Sequence, residues 1–306
     1  MPYVALPHAD QATRQALGDL RWTRMAEARP DLNAAVTLQR KLIGLVDQLT
    51  ARFEQIGAPK LTLPPRYLTT KLGSGIPALA LEPIRMPVEH LKPTFVDLCR
   101  TLAEGGGGEA TAKIRTVAEN GQLDVRAVLT LALRREQGAM RMAATRGGLG
   151  HELLWLVADM CVSPYAHALL ESVFDRAPEP LLTALNQWSR GYCALCGSWP
   201  TLVERVDGAR RLRCSLCAAA WEVPDGSCLY CGEQGEAFSV ITPNPSASRA
   251  LDTCRTCKGY AKALVTETSL PFPLVATADL DSMDLDIAAM QAGFSKPALK
   301  PFTQRR

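Results

Sequence analysis

The sequence predicts an α+β protein, with an N-terminal all-α helical domain followed by two tandem ribbons that are each built around four cysteines. Three observations lead there. Up to about Gln187 the apolar residues recur at helical spacing, and from Gly191 short β-prone segments alternate with turn residues. Eight of the ten cysteines lie in that second region as four Cys-x-x-Cys pairs. A chain of 306 residues is long enough for separate cores. The division reads as a helical domain over 1–188, a first four-cysteine ribbon over 189–225, and a second four-cysteine ribbon with C-terminal helix and tail over 226–306.

Pro30-Asp31 opens a long helix in which Leu38, Leu42, Leu45, Leu49, Phe53 and Ile56 form one apolar stripe. A Pro/Gly-rich connection follows, from Gly57 and Pro59 through Gly73, Gly75, Pro77, Pro83 and Pro87. Val88, Leu91, Phe95, Leu98, Cys99 and Leu102 mark a second helix, ended by the run Gly105 to Gly108. A third spans Ala110 to Glu119. A fourth starts at Asp124, placed to cap it, with Val125, Val128, Leu129 and Ala132 on one face. The fifth, His151 to Phe174, is the most apolar and belongs at the centre of a helical bundle. Pro178 and Pro180 introduce a short helix with Leu181, Leu185 and Trp188. In the second region Thr201 to Arg205 and Ala237 to Ile241 read as strands. After a linker with Pro271 and Pro273, Asp281 to Gln291 reads as one more helix.

The formal charge of +3 is too small to suggest a polyanion partner. Met1-Pro2-Tyr3-Val4-Ala5-Leu6-Pro7-His8 has no basic segment followed by an apolar run, so no secretory signal is read there. The most apolar stretch, Leu153 to Val162 with Asp159 inside it, is about half the ~20 residues a membrane span needs. These features predict a cytoplasmic protein without a membrane span, in which thiols stay reduced and clustered cysteines act as ligands.

The pairs are Cys193/Cys196, Cys214/Cys217, Cys228/Cys231 and Cys254/Cys257. Two cysteines three apart on one turn offer two thiolates to a tetrahedral ion, and a second such turn completes four. The first two pairs are separated by 17 residues and the last two by 22, lengths that suit a hairpin carrying one knuckle to the other. Consecutive pairing then gives two ribbons in tandem; pairing first with third and second with fourth is the alternative. Gly197, Gly232 and Gly259 stand where the knuckles need positive-φ turns.

No histidine follows His167, so each ligand set is sulfur only. Four thiolates leave no position for substrate or activated water, and such a site is structural or transfers electrons. A segment so poor in large apolar side chains depends on its ions, which contribute ~10–16 kcal/mol per structural zinc site. Tetrahedral tetrathiolate suits zinc and equally a single rubredoxin-like iron.

Other features have plainer readings. Cys99 and Cys161 lie on apolar helix faces as inert core thiols. His151 and His167 read as core or capping groups. Gly105 to Gly108 is a connector, because the Lys-Ser/Thr of a phosphate loop is absent.

The ordered motifs are Cys193-Ala-Leu-Cys-Gly-Ser-Trp-Pro200, Gly208-Ala-Arg-Arg-Leu-Arg-Cys-Ser-Leu-Cys-Ala-Ala-Ala-Trp221, Cys228-Leu-Tyr-Cys231 and Cys254-Arg-Thr-Cys-Lys-Gly-Tyr-Ala-Lys262. With the tail Leu285-Asp-Ile-Ala-Ala-Met-Gln-Ala-Gly293-Phe294, they resemble the formate dehydrogenase accessory protein FdhE family. Ala194 departs from the pattern, since relatives often have proline there. The resemblance implies a cytoplasmic maturation factor, not an enzyme, that binds the catalytic subunit of a respiratory formate dehydrogenase before its export. It also implies that Cys193, Cys196, Cys214, Cys217, Cys228, Cys231, Cys254 and Cys257 are metal ligands holding two ions, iron foremost and zinc as the alternative, in a rubredoxin-like manner.

Three other readings compete with this one. Disulfides or a thioredoxin-like couple would place a redox motif once, in a βαβ setting. A thiol-cycling enzyme would need an accessible low-pKa cysteine outside a closed shell. A zinc-ribbon nucleic-acid-binding protein would use the cluster Arg210, Arg211 and Arg213. Yet Gly191 to Val265 carries 8 Lys+Arg against 7 Asp+Glu, a weak balance for tracking phosphates.

Overall fold

The computed structural model describes residues 3–57, 61, 63–175, 177–242 and 248–298. Met1-Pro2, Pro59 of the predicted connection and residues 299–306 of the second ribbon's span lie outside them. In chain order the helices are α1 (Gln11–Ala28), α2 (Asn33–Ile56), α3 (Pro65–Gly73), α4 (Val88–Leu102), α5 (Gly108–Glu119), α6 (Val125–Leu133), α7 (Gln137–Arg146), α8 (His151–Leu170), α9 (Glu179–Asn186), α10 (Val275–Asp281) and α11 (Met283–Gln291). The strands are β1 (Tyr3–Val4), β2 (Pro200–Val206), β3 (Ala209–Cys214), β4 (Ala220–Glu222), β5 (Phe238–Ile241), β6 (Arg249–Cys254) and β7 (Tyr260–Val265).

The chain folds into two compact units that interleave along the sequence, one of 9–61 with 79–173 and the other of 1–8, 62–78 and 174–299. In the first, α8 packs against α2, α4, α6 and α7. Leu91, Phe95 and Leu98 of α4 and Leu154, Val157 and Leu169 of α8 are wholly buried there. The Tyr165 ring packs at 5.5 Å from that of Phe53, and its hydroxyl donates to the Arg85 carbonyl. Asp124 caps α6 by accepting from the Ala127 amide, as its sequence position predicts. The apolar run around α8 is longer than the stretch read from the sequence. Residues 151–174 are long and apolar enough to cross a membrane by length and composition, although 67% of the window is buried inside the protein.

Four helices, α1, α3, α7 and α10, were not read from the sequence. α1 and α7 are rich in charge and carry only thin apolar faces, with four buried residues in α1 and two in α7. α3 lies inside the Pro/Gly-rich connection, where Pro65 at its first position lacks only an amide that would go unsatisfied anyway. The C-terminal helix read over Asp281 to Gln291 is α11, and α10 precedes it in the segment read as linker; the buried Ser282 hydroxyl between them donates to the Ala278 carbonyl.

The second unit holds one seven-stranded sheet, ordered β1-β4-β3-β2-β7-β6-β5. Neighbours are antiparallel except β2 and β7, which run parallel with Val203 opposite Ala263 and Arg205 opposite Val265. Each ribbon contributes three consecutive strands, and the parallel pair fuses them. Residues 62–78 and 174–188, read from the sequence with the helical domain, belong to this unit. α3 packs on α9, and the Ala78 amide donates to the Ala194 carbonyl inside the first knuckle. The Tyr192 hydroxyl donates to the Gly75 carbonyl.

Two candidate metal centres

All four knuckles repeat one backbone pattern. The amide of each leading cysteine donates to the carbonyl five residues on: Cys193 to Ser198, Cys214 to Ala219, Cys228 to Glu233 and Cys254 to Gly259, at 2.8–2.9 Å. The residue after each second cysteine then turns left-handed: Gly197 at φ 77°, Ala218 at 56°, Gly232 at 78° and Lys258 at 57°. The sequence reading assigned this turn to Gly259 in the last knuckle, and the structure corrects it to Lys258. Gly259 is required for space instead, because a Cβ there would meet the Tyr230 ring at 2.6 Å and Cys257 Sγ at 3.1 Å.

These turns bring the cysteines together in consecutive pairs, and the interleaved alternative is not what the chain adopts. Cys193, Cys196, Cys214 and Cys217 form one cluster, and Cys228, Cys231, Cys254 and Cys257 the other, with all sulfurs of a cluster within 4.8 Å of one another. Sγ–Sγ distances are 3.6 Å (Cys193 to Cys217), 3.4 Å (Cys196 to Cys214), 3.6 Å (Cys228 to Cys257) and 3.6 Å (Cys231 to Cys254). A tetrahedron with metal–sulfur bonds of ~2.3 Å has edges of about 3.8 Å, so each cluster fits a tetrathiolate ion. All ten cysteines are free. Cys99 and Cys161 stand apart in the helical unit, where burial pushes the Cys99 thiol up to about 12 and the Cys161 thiol higher. Neither His151 nor His167 joins a cluster among the described residues.

The thiols within a cluster are not equivalent. Burial pushes Cys193 and Cys217 well up. Burial acts the same way on Cys196, yet hydrogen bonds with Cys193, Cys214, Cys217 and Ser198 hold it well below the usual thiol range. Cys254 is likewise opposed by burial but brought down to about 7 by the Cys257 and Thr256 amides and the Cys231 thiol.

Charged side chains tie the ribbons into one body. Arg213 and Glu204, 0% and 1% exposed, form a buried pair, and Arg213 also donates to the carbonyls of Ala218 and Leu270. Arg210 crosses from the first ribbon to Asp252 of the second and donates to the Pro224 and Ser227 carbonyls. Arg211 pairs with Glu222 and Arg205 with Asp225. The arginine cluster that suggested nucleic acid is therefore engaged in internal ion pairs. In the second ribbon, buried Lys262 bonds Asp279 and Asp286, and Asp286 accepts from the Tyr260 hydroxyl. A chain of edge-on rings, Trp188, Tyr192, Trp199 and Tyr230, runs from the end of α9 to the Cys228/Cys231 knuckle at centroid separations of 5.4, 5.8 and 5.0 Å.

Helices together with two four-cysteine clusters, each arranged so that it could hold a metal ion, in a C-terminal mixed sheet define a ribbon protein. Relatives named Protein FdhE match part of it, at 31% identity over 118 residues for that of Salmonella paratyphi A and 32% over 117 for that of Escherichia coli. Each match covers 37% of this chain and 38% of the relative, so the chain spans under half the length of those relatives. An FdhE homolog of Aquifex aeolicus matches more extensively, at 23% identity over 79% of this chain and 80% of its own. The crystal structure of the FdhE protein from Pseudomonas aeruginosa superposes with a TM-score of 0.64 at 21% identity, covering 98% of both chains, and shows the same fold. No protein-family model matches the chain. The chain is thus similar in sequence to proteins named FdhE and shares the fold of one of them.

Proposed function

We propose that this protein is a cytoplasmic accessory factor for a respiratory formate dehydrogenase, binding the catalytic subunit before export, and that it is not itself an enzyme. The observation that carries the reading is the ordered set of four knuckles closed into two sulfur-only clusters, in a chain whose relatives are named FdhE. The eight cysteines would hold two ions, with iron favoured by the rubredoxin-like donor set and zinc the alternative. Bound there, an ion stabilises its ribbon and, if iron, can accept or donate one electron. Four protein sulfurs leave it no open position for hydrolysis. The chain's own residues shape the surface: the knuckle amides orient the sulfurs, Arg210 holds the ribbons to each other, Arg213 ties β3 to β2 and to the Leu270 carbonyl, and Lys262 holds the second ribbon to the C-terminal helices.

The test is association of the purified protein with a formate dehydrogenase catalytic subunit, together with a strain that lacks the protein. That strain should accumulate catalytic subunit with little formate-oxidising activity. Visible absorption with metal analysis of anaerobically purified protein separates coloured ferric tetrathiolate from colourless zinc. No association, with DNA or RNA binding that falls steeply with salt, would replace this reading with the nucleic-acid one.

A further inference from the structure

The two clusters share one geometry but not one environment. Cys193, Cys196, Cys214 and Cys217 are 1%, 5%, 2% and 0% exposed. The Ser198 hydroxyl, itself wholly buried, lies 3.3 Å from Cys196 Sγ, and the Leu216 amide donates to Cys214 Sγ. In the second cluster Cys228 and Cys254 are buried, Cys257 is half-buried and Cys231 is exposed. Cys228 and Cys231 also line a cavity of about 440 Å³, walled by the rings of Tyr192, Trp199 and Tyr230 and bordered by Arg190.

An ion held by four thiolates exchanges when an outside donor reaches it while one thiolate departs, so the rate depends on how far the protein shields the sulfurs. We infer that the second cluster is an exchange site through which an external sulfur donor, a thiolate of a partner or of a small thiol, enters the coordination shell, while the first cluster retains its ion. The incoming thiolate forms its bond to the ion as the Cys231–metal bond breaks. Cys231 leaves with its electron pair and takes a proton from water, and no oxidation state changes. The inference rests on the proposal that both clusters hold metal.

The full chain loaded with zinc is mixed with excess pyridylazoresorcinol, and release is followed by colour. Two equal phases are expected, separated on the order of 10–100-fold, the scale on which shells around a metal site act. The fast rate should rise in proportion to chelator. N-ethylmaleimide labelling with peptide mass mapping should find Cys231 and Cys257 modified during the fast phase, with Cys193, Cys196, Cys214 and Cys217 still protected. Cys231→Ser should abolish the fast phase and leave the slow one unchanged. Equal release rates, or earlier labelling of the first cluster, would overturn the inference. So would a fast rate that saturates with chelator, because opening of the ribbon would then set the pace. Failure of the metal reading shows separately, as zinc content below two before chelator is added.

Discussion

The two ribbons carry the same knuckle twice over, with the same cysteine-amide hydrogen bonds and the same left-handed residue after each second cysteine. They differ in what covers them. The first has its outer strand β4 paired with β1, its knuckle bonded to Ala78, and the buried Arg213–Glu204 pair between its strands β3 and β2. The second ends the sheet at β5, whose residues are mostly exposed, and rests on a small cluster of Leu251, Tyr260, Leu285 and Ala289. Local hydrogen bonds set where the sulfurs stand. The surroundings set how much water they meet, so one ligand geometry can serve one inert and one accessible site.

The largest effect expected is loss of an ion. Cys193→Ser with Cys196→Ser should remove one metal and unfold the first ribbon, since a structural site supplies ~10–16 kcal/mol. Cys228→Ser with Cys231→Ser should remove the other ion and leave the first in place, and Cys99→Ala should change neither. Metal analysis reads all three, and two ions retained after either double change would refute the ligand assignment. Hydrogen exchange on the metal-stripped chain should show amides of α2, α4 and α8 still protected, because their core contains no cysteine ligand.

Next in size is the buried pair between β2 and β3 inside the first ribbon. Glu204→Gln leaves Arg213 charged and unpaired, and breaking such a pair costs ~3–5 kcal/mol. Combining Glu204→Gln with Arg213→Met should recover much of that loss in urea unfolding. A single change costing nothing would mean that the pair does not distinguish the ribbons.

The second ribbon's counterpart is sensitive to pH. Burial opposes ionisation of Asp286, but Lys262, Lys296 and the Tyr260 hydroxyl hold its carboxyl below the usual range. Its stabilising contribution is therefore fully present above the unfolded carboxylate value of ~4 and is lost as pH falls through the lower folded value. Asp286→Asn should weaken this ribbon at neutral pH, and the gap to wild type should narrow in acid. Unfolding curves across that range, with metal content followed in parallel, check the sign.

The smallest effect is at the last knuckle. Lys258 is exposed and left-handed, so Lys258→Gly should relieve strain and raise stability by up to about 1 kcal/mol, read as a small rise in Tm.

The helices with broad apolar stripes, α2, α4 and α8, were legible because burial of one face imposes a local period. α1, α3, α7 and α10 were not, since each buries only a few residues and presents no wide apolar stripe. Of the strands, β2 and β5 stood out, whereas β3, β6 and β7 carry Arg213, Asp252 and Lys262, which look like solvent residues until their partners are known. Arg210 misled in the same way, since its neutralising carboxylate is 42 residues away.

By itself the sequence determined the four cysteine pairs. Cys-x-x-Cys spacing is a property of one turn, and two turns on a hairpin suffice to gather four sulfurs. The tertiary structure alone decided which turn residues are left-handed without glycine, which carboxylates the arginines meet, and that Cys231 meets solvent while Cys196 does not. Exposure and charge pairing depend on segments distant in the chain, such as Gly75 and Ala78 against the first knuckle, and no local pattern encodes their arrival.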